Sequence, residues 1–136
     1  MKEVDIENAL GGQLEDNLTG LPSSVKWPNK DHDHVKPYLE VIFSGGQRRG
    51  GALKGGNTIL RSSGVMLINV VTVENEAADP ANEYADTLAE LFIEGLRLSI
   101  TGGTVLILKP ADVRKGFRDG SDWKVPVVIN YEATKT

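Results

Sequence analysis

Apolar residues from Val65 to Val73 occupy both alternating sets of positions: Val65, Leu67, Val71 and Val73 on one, Met66, Ile68 and Val70 on the other. Only Asn69 and Thr72 interrupt them, and the β-branched content is high, so the run predicts a strand at the middle of a sheet rather than a helix. Next comes a different period. Tyr84, Leu88, Leu91 and Phe92 fall at i, i+4, i+7 and i+8, with Ala81 and Ala85 beside them, which marks one apolar stripe on a helix. Asp79-Pro80 supplies an N-cap carboxylate and a proline at the first helical position, and Gly95 is placed to end the element in the left-handed conformation.

The same reading extends to the rest of the chain. Ile6, Leu10, Leu14 and Leu18 predict an amphipathic helix over 3–18, weakened by Gly11-Gly12 because each interior glycine costs about 1 kcal/mol relative to alanine. Val25-Lys26-Trp27 reads as a short strand ended by Pro28, and Tyr38 to Ser44 as a strand with Leu39, Val41 and Phe43 on one face. Residues 45–57, GGQRRGGALKGGN, read as a flexible Gly/Arg-rich loop between two antiparallel strands. Thr58 to Val73 forms the long strand, with Ser62-Ser63-Gly64 marking a bulge or bend. Leu96 to Lys109 predicts a hairpin turning at Gly102-Gly103, which pairs Ile100 with Val105 and Leu98 with Ile107. The opposite face of that hairpin carries Leu106 and Leu108, which a small monomer does not need there; they are candidates for an interface or for cover by the N-terminal helix. Pro110 to Asp122 reads as a loop. In the last strand Trp123, Val125, Val127, Ile129 and Tyr131 point inward and Pro126 and Val128 outward. Pro126 cannot donate to a ladder, which predicts an edge strand or a bulge, and the tail ATKT is expected to fray. The fold class is α+β: a mostly antiparallel sheet with two helices packed on it, in the order α-β-β-β-α-β-β-β.

Composition narrows this little. A chain of 136 residues, 40% hydrophobic and 25% charged, fits one soluble domain spanning 1–136. Cysteine is absent, so disulfides and thiolate chemistry are excluded, and no apolar run reaches the roughly 18 residues of a membrane span. A formal net charge of −4 disfavours nucleic-acid binding by the whole surface. His32 and His34 lie beside Asp31 and Asp33 in a polar loop, and no further His or Cys is present to complete a tight metal site. The basic loop is no P-loop, since Gly55 is followed by Gly56 and Asn57 and no helix begins there. Neither a nucleophile elbow nor a dinucleotide fingerprint occurs. No catalytic residue, cofactor or metal is therefore expected.

The GG hairpin LRLSITGGTVLILKP at Leu96 to Pro110 and the closing WKVPVVINY at Trp123 to Tyr131 carry a resemblance, supported by VKWPNK at Val25 to Lys30. With the element order, they resemble the tail terminator, or tail-completion, proteins of long-tailed bacteriophages of the lambda type, over nearly the whole chain. The resemblance departs at Asn29 to Val35, which is hydrophilic where relatives are rich in Pro and Phe, and at Gly11-Gly12. It implies a structural virion protein without catalysis, assembled in the host cytoplasm and placed at the head-proximal tip of the tail. Implied partners are its own copies in a hexameric ring, the tail tube protein, head–tail connector proteins, and DNA that passes through without sequence recognition; no membrane is involved. In such a ring Leu106, Leu108, Val128 and Pro126 are expected at subunit contacts. Arg48, Arg49, Lys54 and Arg61 are expected to face the tube or the channel. Competing expectations are a neck adaptor of the same assembly, a small DNA-binding regulator using the basic loops, and a metal-dependent enzyme at His32 and His34.

Overall fold

A computed structural model describes residues 2–54, 57–73 and 79–135, with the backbone alone for 51–54 and 57–59. The elements are α1 (Glu3–Glu15), β1 (Val25–Lys26), β2 (Tyr38–Lys54), β3 (Asn57–Val73), α2 (Asp79–Leu91), β4 (Arg97–Ile100), β5 (Gly103–Ile107), β6 (Asp112–Val113), β7 (Phe117–Asp119) and β8 (Asp122–Lys135). They form one sheet in the order β1-β2-β3-β8-β5-β4, with β6 and β7 also paired to β8. Every pairing is antiparallel except β1 with β2. The α+β class expected from the sequence is the one observed, and the order α-β-β-β-α holds, with five strands after α2 where three were expected.

Both helices pack on the same face of this sheet. Ile6, Leu10 and Leu14 of α1 and Ala81, Ala85 and Leu88 of α2, with Phe92, are fully buried in one cluster with Met66, Ile68 and Val70 of β3 and Val125, Val127 and Ile129 of β8. Matching the two periods achieves this: every second residue of β3 and β8 meets the helical stripes. The stripe read on α2 is therefore correct, with Tyr84 and Leu91 partly buried at its margin. α1 is shorter than the predicted helix, ending at Glu15 with Asp16 as its cap. Gly11 also has a packing reason: a Cβ there would lie 3.1 Å from the Trp27 ring, so the glycine lets the indole lie against the helix.

Several expectations are corrected. β8 is not an edge strand: β3 runs along one side of it and β5, β6 and β7 share the other. Pro126 is accommodated because its carbonyl accepts from Arg114 N–H at 2.9 Å, so its missing donor faces the same way. That stretch lies between the end of β6 and the start of β7, where no ladder is lost. Pro110 to Asp122 thus contains two short strands rather than only loop. The β4–β5 turn lies at Thr101-Gly102, not Gly102-Gly103, since Gly102 takes the positive φ of 76° while Ile100 pairs with Gly103. Leu98 then pairs with Val105, a shift of two that leaves the faces unchanged. Nor does the tail fray through Lys135, which pairs with Gly103.

Residues 45–54 are strand as well. The ladder of β2 and β3 continues through Gln47↔Ser63, Arg48↔Ser62 and Arg49↔Arg61 to Lys54↔Asn57. The bulge expected at Ser62-Ser63-Gly64 lies on the opposite strand instead, between Gly45 and Gln47, where Gly45 and Gly46 take φ of 108° and 82°. Gly64 faces Gly45 across the ladder, and a Cβ on Gly64 would meet the Tyr131 hydroxyl at 2.6 Å. Glycine at both positions allows this close crossing beneath Tyr131.

Candidate assembly surface

Among the described residues no helix lies on the second face of the sheet. At one end the segment before β2 folds over it. The His32 ring lies 4.7 Å from that of Tyr38, and His34 stands edge-on to both. His34 N–H donates to His32 Nδ1 at 2.9 Å, so His32 Nε2 carries the proton that Ser24 Oγ accepts at 2.7 Å. Lys36 closes this end by an ion pair to Asp122. His32, half-buried, is thus a packing group over the aromatic ring of Tyr38, while His34 and the residues on either side of it stay exposed, as the polarity of the loop predicts. Among the described residues no cluster of three or more His, Asp or Glu is placed to hold a metal ion.

Next along the same face lies a polar network. Glu40 accepts from Asn69 Nδ2 at 3.0 Å and has Lys26 at 3.4 Å and Lys124 at 3.6 Å, while Lys124 also reaches Asp119 at 3.0 Å. Burial by itself would raise the pKa of Glu40, but the Asn69 hydrogen bond and the two lysines outweigh it and hold the carboxyl below the ordinary glutamate range. For Lys124 burial opposes the charge, and Asp119 and Glu40 reverse that and raise its pKa. Tyr38 is pushed up, first by burial and then by Asp122 and Glu40.

Beyond the network the face turns apolar. Ile42 of β2, Leu67 of β3 and Val128 of β8 lie in register across three strands. Val65 and Leu106 lie in the rows beyond, and Leu108 follows, its N–H bonded to Asn130 O at 3.0 Å. Ile42 and Leu108 are each 42% exposed, and Leu67, Leu106 and Val128 are half-buried. Leu106, Leu108 and Val128 are therefore brought together on one uncovered surface, with half-buried Pro126 a row nearer to the polar network. The N-terminal helix does not cover Leu106 and Leu108, because it packs on the other face. The residues that sequence reasoning missed are Ile42 and Leu67. Their signal was the run Val41-Ile42-Phe43, apolar at both parities beside a strand read as covered on both sides.

The four basic positions are divided by the strand period. Arg49 and Arg61 are cross-strand neighbours that share Glu132, at 3.5 and 4.0 Å, on the uncovered face. Arg48 lies on the helix face, with Nε 3.4 Å from Glu3, the carboxylate that also accepts from buried Ser62 at 2.8 Å. Lys54 pairs with Asn57 in the backbone, and its side chain lies outside what is described. Arg48 therefore does not share a surface with Arg49 and Arg61.

No curated protein matches the chain. One solved structure superposes with a TM-score of 0.78 at 21% identity, covering 98% of this chain and 96% of its own. A second, from the virion of a native gene transfer agent (GTA) particle, gives 0.68 at 12% identity and covers 96% of both chains. At these identities the likeness establishes the fold. The family model for phage tail terminator proteins matches residues 5–131, which take in both helices, the long hairpin and nearly all of the sheet; the chain belongs to the phage tail terminator family.

Proposed function

We propose that this protein is a non-catalytic virion component that closes into a ring of six copies on the head-proximal end of the tail tube. The ring halts addition of tube protein and offers the head connector a docking surface, and DNA later passes through its hole. Family membership supports the terminator role. The observation that carries ring formation is the uncovered apolar row of Ile42, Leu67 and Val128, with Leu106 and Leu108 beside it. Exposed apolar surface of this kind marks a protein contact, and a head-to-tail contact whose rotation closes generates a ring. The similar fold within a gene transfer agent virion agrees with assembly into a particle.

The test is to add the purified protein to polymerising tail tube protein and to delete its gene from the phage. Tubes are expected to stop growing on addition, and the deletion to leave tails of irregular, excessive length. Tails of normal length that fail to join heads would instead identify a neck adaptor and overturn the proposal.

A further inference from the structure

We propose that the β2–β3 arm of one copy lies along the acidic outer stripe of α2 on the next copy. This deepens the ring reading and rests on it. Arg61 is the outermost β3 residue with a partner in β8, namely Thr134. Beyond it, among the described residues, β2 and β3 pair only with each other, out to Lys54 and Asn57. At about 3.3 Å per residue this ribbon reaches roughly 13 Å past the sheet. A lone two-stranded ribbon is marginal in water, and six of the thirteen residues at 45–57 are glycine. It is also basic: from Val41 to Val73 the chain has no acidic residue and carries Arg48, Arg49, Lys54 and Arg61. The arginine side chains at its root touch Glu3 and Glu132 yet stay 47%, 66% and 51% exposed, which leaves them able to meet a second partner.

The complementary surface is on the same chain. From Glu74 to Leu96 there is no Lys or Arg. Asp79, Glu83, Asp86 and Glu90 recur at i, i+4, i+7 and i+11, and so line the side of α2 away from Ala81, Ala85 and Leu88. Glu94 follows the helix, and all five carboxylates are exposed. Among the described residues none of the five has a cation within 4.0 Å. Like charges three and four residues apart destabilise a helix, and acids near its C-terminal end oppose the macrodipole. An isolated subunit bears that cost, and a basic ribbon laid along the stripe removes it. The lengths agree: Asp79 to Glu90 spans about 16 Å of helix, and Arg49 to Lys54 about 17 Å of strand. DNA would also attract the arm, but it would leave the acidic stripe without a role. A neighbouring subunit accounts for both.

The experiment is a charge swap read by light scattering and negative-stain imaging, with and without tail tubes. Arg49→Glu with Lys54→Glu, and separately Glu83→Lys with Asp86→Lys and Glu90→Lys, are each expected to weaken ring formation about tenfold or more. The two sets combined in one chain are expected to restore it, which also shows that neither set acts by unfolding the subunit. Normal rings from either set alone, or no rescue in the combination, overturn the arm contact. So does an arm variant that loses duplex DNA binding while its rings form normally. A wild-type chain that makes no ring in solution or on tubes defeats the ring reading itself, whereas intact rings from both variants defeat only this inference.

Discussion

Glu40 shows how one residue can organise a sheet face. It stands where β1, β2, β3 and β8 come together, and Asn69, Lys26 and Lys124 all converge on its carboxylate. Their hold outweighs burial, so the group loses its proton more readily in the folded chain than in the unfolded one. The sign follows from linkage: a carboxyl with a depressed folded pKa contributes stability above its unfolded value, and that contribution disappears as pH falls through the folded value. Glu40→Gln is expected to lower stability at neutral pH by about 1 kcal/mol, the scale of a charge-assisted hydrogen bond less its desolvation. Urea unfolding of both proteins across pH should show that difference shrinking as the pH drops below the ordinary value of 4.5. A constant difference down to strong acid would mean that shape rather than charge matters at this position.

At the scale of elements, α1 separates two adjacent glycines that look alike in sequence. A Cβ on Gly11 meets the Trp27 ring at 3.1 Å, whereas one on Gly12 meets nothing within 4 Å. Gly12→Ala is therefore expected to stabilise the protein by about 0.5–1 kcal/mol through helix propensity alone, a rise of roughly 3 °C in Tm by calorimetry. At Gly11 the same gain is offset by displacement of the indole, and little or no rise is expected. Periodicity in one segment says nothing of Trp27 arriving from another, so only the cost of the two glycines was readable in the sequence. The stripes of α2, β3 and β8 were legible because each repeats over several turns or residues and matches a single period. What stayed hidden depended on partners distant in the chain. Pro126 suggests an edge until the gap between β6 and β7 is seen beside it, and the basic segment suggests a loop until Arg49 is found opposite Arg61. The interface candidates Leu106, Leu108 and Val128 were readable as outward apolar positions. Ile42 and Leu67, which complete their surface, need the register of three strands to be recognised.

Over the whole molecule, one sheet has two faces held to different standards. The helix-covered face carries the stability, since its side chains are fully buried and continuous from α1 through α2. Truncation there, as in Leu88→Ala, is expected to cost about 2–5 kcal/mol by leaving a cavity. The uncovered face contributes less to the lone subunit, because Ile42 and Leu108 keep 42% of their surface in water. Ile42→Asp with Leu108→Asp should therefore change chemical unfolding of the dilute subunit by only about 0.5–1 kcal/mol. Ring formation should be abolished in the same variant, because two carboxylates would have to be desolvated among Leu67, Leu106 and Val128. Sedimentation of the variant at concentrations where the wild type is assembled is the deciding measurement. A subunit that still assembles would move the contact to another surface, and one that unfolds would show that the second face belongs to the core.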